Sequence, residues 1–255
     1  MRAETGLFVA RLVLCLVVAG LALPFTAAAE PLRVVTEEFP PYNYTDKGHV
    51  TGLATEVVEA VLKEIGVQAT IQSMPWARAY DIARNGENVL IFSITRTAER
   101  EKMFKWIGPV APSDWSLFAL RGREVLLKQL ADAKAYRTAT VNEDAGEQYL
   151  VANGFVIGAN LQSSNKYAFN YEKLRLGRVD LWVANDLVAS HLVREAGDDP
   201  TKVLVRALPL PGLGDGGMYM AFGAKTPDDI VELFRKGLTA VKKNGTFELL
   251  QKKWL

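Results

Sequence analysis

The chain has almost no cysteine or histidine: Cys15 is alone, and only His49 and His191 represent the second type in 255 residues. One thiol closes no disulfide within the chain, and two histidines far apart in sequence, one expected on a turn and one on a helix, show no metal-ligand spacing. An excess of charge of one sign is also missing. The 30 Lys and Arg are set against 29 Asp and Glu, a formal charge of +1, and no basic stripe marks the chain for nucleic acid. Apolar runs of membrane length are absent after the amino terminus. No Gly-x-Ser-x-Gly, His-Glu-x-x-His or phosphate loop is present, which removes the commonest signatures of hydrolases, zinc proteases and nucleotide enzymes.

What is present begins with a targeting signal over residues 1–29. Arg2 and Arg11 supply positive charge, residues 12–23 are almost wholly apolar, and Ala27-Ala28-Ala29 is a small-residue cleavage site. Cleavage after Ala29 of the 255-residue chain leaves 226 residues beginning at Glu30. It removes Arg2, Arg11 and Glu4, leaving 28 basic and 28 acidic residues, and it removes the thiol. Leu12-Val13-Leu14 lacks the small residue expected just before a lipidated cysteine. The expected product is an exported chain with neither disulfide nor lipid, large enough to bury an adequate core.

The pattern of apolar residues predicts a strand at 32–36, a helix at 55–65 with Val57, Val58, Val61, Leu62 and Ile65 on one stripe, a strand at 68–74, a helix at 76–85 and a strand at 89–93. This β-α-β-α-β series implies a parallel sheet wound with helices. A second series follows: strand 115–120, helix 124–131, strand 138–141, helix 145–152, helix 167–174, strand 181–184, helix 187–196 and strand 203–208. Pro/Gly-rich stretches at 108–112 and 208–217 bracket it and read as linkers. The chain then returns through a strand at 218–223, a helix capped by Thr226 and running to Gly245, and a last helix from Thr246. The glycines of 212–217 lack the strand before and helix after that a phosphate loop needs, so they read as a hinge or turn.

The segment Ser93-Ile94-Thr95-Arg96-Thr97-Ala98-Glu99-Arg100 follows the buried run Val89-Leu90-Ile91-Phe92. Hydroxyls and two arginines are thus delivered at the carboxyl end of a parallel strand, where open α/β sheets bind ligands. A guanidinium fork matches a carboxylate, and Ser93 and Thr95 can add hydrogen bonds, so the unit suits a small anion.

Ser-Ile-Thr, an Arg, and then Phe104-Lys105-Trp106-Ile107-Gly108-Pro109, with the closing Gly245-Thr246 and Lys253-Trp254, resembles the bacterial extracellular solute-binding proteins of family 3. The resemblance spans essentially the whole chain after residue 29. It implies an α/β, two-lobed periplasmic-binding-protein fold of type II, each lobe a mostly parallel sheet flanked by helices, with two hinge crossovers. Lobe 1 is expected at 30–112 and 215–255, and lobe 2 at 113–214.

Carried over residue by residue, the resemblance implies that Ser93 and Arg100 hold a ligand carboxylate. The spacing between them is two residues longer than usual, which brings Arg96 as a rival to Arg100. Phe39 matches an aromatic over the ligand, and Trp76 a second apolar contact, with Arg78 nearly opposite it on its helix. Asp144 lies at the strand-to-helix turn that receives the ligand in lobe 2, where it caps the helix or faces the cleft. Asn185 stands where the family has an ammonium-binding Asp, a departure that weighs against a plain α-amino acid. Asp186 is next in line for that role.

The resulting expectation is a non-catalytic, monomeric periplasmic protein that closes on a small polar, carboxylate-bearing solute for an ABC permease, with no cofactor, metal or nucleic acid. Two alternatives remain: a sensor component of a signalling system, and a dehydratase or lyase on the same scaffold. For the last, Glu37, Glu38, Asp144 and Asp186 are the available acid–base groups.

Overall fold

The computed structural model describes residues 31–255. The expected signal peptide, its cleavage site and Cys15 lie outside the described residues.

The first half follows the β-α-β-α-β expectation. Strand β1 (Arg33–Thr36), a small hairpin of β2 (Tyr44–Asp46) and β3 (His49–Thr51), helix α1 (Leu53–Glu64), strand β4 (Ile71–Ser73), helix α2 (Trp76–Asn85) and strand β5 (Val89–Thr95) succeed one another. All seven residues of β5 are buried, as a continuous apolar run between two helical layers requires. On α1, Val57, Val58, Val61 and Leu62 are the buried stripe. Strand β1 lies parallel to both β4 and β5.

After β6 (Phe104–Ala111) the chain crosses at 112–114 into a second sheet. There β7 (Trp115–Leu120), β8 (Thr138–Val141), α3 (Ala145–Ala152), β9 (Leu161–Ser164), α4 (Tyr167–Arg175), β10 (Leu181–Asn185), α5 (Asp186–Glu195), α6 (Pro200–Val203) and β11 (Leu204–Pro209) follow. A second crossing at 210–217 returns to the first sheet through β12 (Met218–Gly223), α7 (Asp228–Lys243) and α8 (Thr246–Trp254). The strand orders are β4-β1-β5-β12-β6 and β11-β7-β10-β8-β9. Each sheet is parallel on one side and antiparallel on the other, where β12 in the first and β7 in the second run against their neighbours. The fold is α/β and two-lobed.

The two crossings touch. Gly217 has φ +96°, and a β-carbon there would sit 2.4 Å from the Ala111 carbonyl oxygen, so only glycine lets the returning segment pass this close.

Several expectations are corrected. The linker proposed at 108–112 is mostly strand: Pro109 pairs with Tyr219 on the outermost strand, where its missing N–H costs no ladder bond. The helix proposed at 124–131 is replaced by an extended stretch and a 3-10 helix at Leu130–Ala135. The apolar residues there explain it, because Val125 and Leu127 pack on the core while Leu126 is exposed, a period of two. Thr226 does not cap α7; its hydroxyl accepts from the Asn88 N–H at 3.1 Å. The β2–β3 hairpin, β9 and α6 carry too few residues to show in the apolar pattern.

Candidate functional site

The carboxyl end of β5 is shaped by a bulge. Ile94 pairs with Tyr219 and Phe92 with Met220, leaving Ser93 between them at φ +58°, a left-handed conformation that few non-glycine residues adopt. The Ser93 hydroxyl donates to the Asn43 side-chain oxygen, and Asn43 Nδ2 donates to the Glu37 carbonyl at 2.6 Å. Asn43, fully buried, therefore ties the loop after β1 to the end of β5. Around that link, Glu37, Phe39, Trp76, Ser93, Thr95 and Arg100 from the first lobe meet Trp115, Asp144, Ala145 and Tyr167 from the second at a cavity of about 10 Å3.

Arg100 is 1 % exposed. Its guanidinium lies over the rings of Trp76 and Tyr80, at 5.3 and 4.9 Å from their centroids. Those two residues are four apart on α2 and so share a face, stacked at 5.7 Å. Nη1 donates to the Thr95 carbonyl at 3.2 Å, Nε to Gln148 Oε1 at 3.0 Å and Nη2 to the Glu143 carbonyl at 3.0 Å. These bonds use three of the five N–H donors of a guanidinium. Burial pulls the Arg100 pKa down from its ordinary value. Trp76 reaches the same carbonyl, with Nε1 2.7 Å from the Glu143 oxygen, and Glu143 itself is held at φ +61°.

Asp144 performs both tasks weighed for it. As N-cap of α3, its Oδ1 accepts from the Glu147 N–H at 2.6 Å, while Oδ2 accepts from the Tyr167 hydroxyl at 2.8 Å, and the carboxyl lines the cavity. Burial pushes it up to about 7, against the pull of those hydrogen bonds and of Arg100. Glu37, 5 % exposed, is raised well above the usual carboxylate range by burial first and by Asp144 second. Phe39 forms the seam between the lobes, 6.2 Å from the Trp115 ring and 4.9 Å from that of Tyr167.

Two expected residues are not brought to this cavity. Arg96 is exposed, forms a two-pronged pair with Glu101 at 2.8 and 2.6 Å, and lies over Trp106 and Tyr219. Asn185 is buried and caps α5 through the N–H groups of Leu187 and Val188. It accepts from the Tyr42 hydroxyl at 3.2 Å, which makes it a contact between lobes. Asp186, the proposed substitute, pairs with Arg206 and lines a separate hollow. Glu38 is turned to Thr45 and Ser73. Asn185 brings no group to this cavity, whose acids are Glu37 and Asp144.

Reading the sequence named Glu37 only as an acid–base group of the enzyme alternative, and it missed Trp115 and Tyr167. Glu37 had a usable signal, since it follows β1 at the same carboxyl edge of the sheet as Ser93. Larger hollows exist, of about 650 Å3 beside Tyr44, Lys166 and His191 and of about 590 Å3 beside the crossings. The smaller cavity is the one where buried charged groups of both lobes converge.

The model of the bacterial extracellular solute-binding proteins, family 3, matches residues 32–255. The L-cystine-binding protein TcyJ of Escherichia coli (strain K12) is 24% identical over 221 residues, covering 85% of this chain and 79% of that protein. Other relatives are named for arginine or histidine binding. Among solved structures, an ancestral arginine-binding protein bound to arginine superposes with a TM-score of 0.76 at 23% identity, covering 88% of this chain and 97% of the other. A histidine kinase sensor domain similar to periplasmic binding proteins gives 0.77 at 20% identity, covering 89% and 96%.

Proposed function

The chain belongs to the bacterial extracellular solute-binding proteins, family 3, and we propose that it captures a small carboxylate-bearing solute, an amino acid or a related compound, for a permease of an ABC importer. The observation that carries the reading is the meeting of buried polar groups from both lobes at one cavity of about 10 Å3. A space of that size holds about one water, so the lobes must part for a solute to enter and close on it less tightly than they meet here. Closure then couples binding to recognition by a membrane partner, because only the closed form presents both lobes in one arrangement.

In this reading Arg100 takes the carboxylate, Ser93 and Thr95 line its place at the end of β5, Phe39 and Trp76 form walls, and Asp144 is the pole of the second lobe. The lobes divide at residues 30–112 with 215–255, and 113–214. The protein acts as a periplasmic monomer and leaves its solute chemically unchanged. Relatives named for binding cystine, arginine and histidine support an amino acid as the class.

A thermal-shift screen of the purified protein against amino acids, oligopeptides, polyamines and organic acids tests the reading, because a ligand at 100 times its Kd stabilises by about 2.7 kcal/mol. The stabilising compound is then recovered and analysed. Recovery unchanged supports capture; conversion to a product overturns it in favour of an enzyme, and stabilisation by none of these classes overturns the solute reading.

A further inference from the structure

We propose that Asn43 is the positioning residue of the first-lobe half of the site: it reaches no solute itself, and it fixes the Ser93 hydroxyl together with the loop that carries Glu37 and Phe39. The inference rests on the solute-capture reading above and adds a residue that sets its geometry.

Asn43 is 0 % exposed and is not among the residues that line the cavity. Four hydrogen bonds from the described residues converge on it. Its N–H donates to the Phe39 carbonyl at 3.2 Å and its carbonyl accepts from the Phe39 N–H at 2.7 Å, which closes the turn 39–43. Its Nδ2 donates to the Glu37 carbonyl at 2.6 Å, and its Oδ1 accepts from the Ser93 hydroxyl. Glu37, Phe39 and Ser93 all line the cavity, so one buried residue behind it sets the place of three at its wall.

The direction of the Ser93 bond follows from the chemistry of its neighbours. The Glu37 carbonyl can only accept, so the nitrogen of the Asn43 amide must face it and the oxygen must face Ser93. An amide oxygen also only accepts, and the hydroxyl proton is therefore spent on Asn43. Ser93 turns lone pairs to the cavity, not a proton, and a solute carboxylate is left to Arg100. The same bond braces a strained place, because Ser93 stands at φ +58° in the bulge of β5, where a serine stays only if its surroundings hold it.

Every partner of Asn43 lies on the first lobe. Residues 37–43 and Ser93 are joined whether the lobes are apart or together, so this half of the site is formed before a solute arrives, and less ordering is left for binding. Arg100 and Trp76 differ, since both bond to the Glu143 carbonyl of the second lobe. Both ends of the amide are needed. An apolar side chain of the same size would take the donor from the Glu37 carbonyl and free the Ser93 hydroxyl to turn.

Two measurements test the assignment. In nuclear magnetic resonance spectra of the solute-free protein, the Asn43 side-chain amide, identified by its loss in Asn43→Asp, should exchange with solvent about 100-fold or more slowly than exposed side-chain amides. Exchange at the exposed rate would overturn the inference. The second measurement is calorimetric titration near pH 5 with L-arginine, L-histidine and L-glutamine as probes. Asn43→Leu should weaken the tightest of them by about 10- to 100-fold. In a Ser93→Gly background, which keeps the left-handed backbone and removes the hydroxyl, the same replacement should cost about threefold at most. Asn43→Ser takes its place in the cycle if Asn43→Leu does not fold. Asn43→Asp, whose buried carboxyl is protonated near this pH and offers one acceptor and one donor, should bind within about threefold of the natural protein. An asparagine that only supports the fold would lower the melting temperature with affinity unchanged, or cost the same affinity with and without Ser93. Either result would overturn the inference and leave the solute reading standing. If none of the three probes binds and the wider screen also finds no ligand, both readings fall together.

Discussion

Arg100 and Glu143 meet across the cleft: Nη2 of the arginine, in the turn after β5, donates to the backbone carbonyl of the glutamate at 3.0 Å. Trp76 donates to the same oxygen at 2.7 Å. One carbonyl of the second lobe thus gathers two of the first-lobe side chains expected to touch a solute. That carbonyl is aimed by the left-handed backbone at Glu143, φ +61°, immediately before the cap of α3. The residue that would hold a carboxylate is also a residue that holds the lobes together.

Replacement of Arg100 by Ala is expected to weaken solute binding by about 1.5 to 3 kcal/mol, the usual worth of hydrogen bonds to a charged group. Arg96→Ala should change affinity little, and stability within about 0.5 kcal/mol, because its pair with Glu101 is exposed. Titration calorimetry on both variants checks the order, and a larger loss at Arg96 would reverse the assignment.

Asp144 sets a pH dependence whose sign follows from its raised pKa. Its ordinary value is 3.8 and burial lifts it to about 7 in the fold. The native state therefore binds its proton more tightly than the unfolded chain does. That contribution to stability is full below about pH 3.8 and is lost as pH rises through about 7, on the order of 4 kcal/mol at most. Glu37, raised in the same direction, adds to it. Urea melts of the solute-free protein between about pH 5 and 8 should show falling stability. Asp144→Asn, which keeps a good cap, should flatten the curve.

Asn185→Asp is expected to destabilise the protein by about 1–3 kcal/mol without improving affinity for amino acids. The side chain is buried, donates to the Ser113 hydroxyl at 3.3 Å and accepts from Tyr42. A carboxylate there loses the donor and is buried next to Asp186. Melting temperature and affinity, measured on the same sample, separate this outcome from a gain in binding.

The first sheet was legible in the sequence because apolar periodicity switches cleanly between helix and strand from β1 to β5, and because β5 is buried on both faces. Strand β6 was not, since Gly108 and Pro109 read as a break, and only its place at the sheet edge makes them tolerable. Within the cavity, Ser93, Thr95 and Arg100 stood out because they follow a buried strand. Arg96 has the same chemistry, and nothing in the sequence reveals that Glu101, Trp106 and Tyr219 hold it outside. Trp115 and Tyr167 are first residues of ordinary elements; they matter because the second lobe folds back over Phe39, a contact between segments far apart in sequence.

Closure of the two lobes around a solute held at Arg100 and Asp144 is the centre of the account, and small-angle scattering with and without a saturating amino acid found by the screen measures it most directly. A smaller radius of gyration in the bound protein, with the change reduced in Arg100→Ala, is the predicted result. A radius unchanged at saturation would contradict the account.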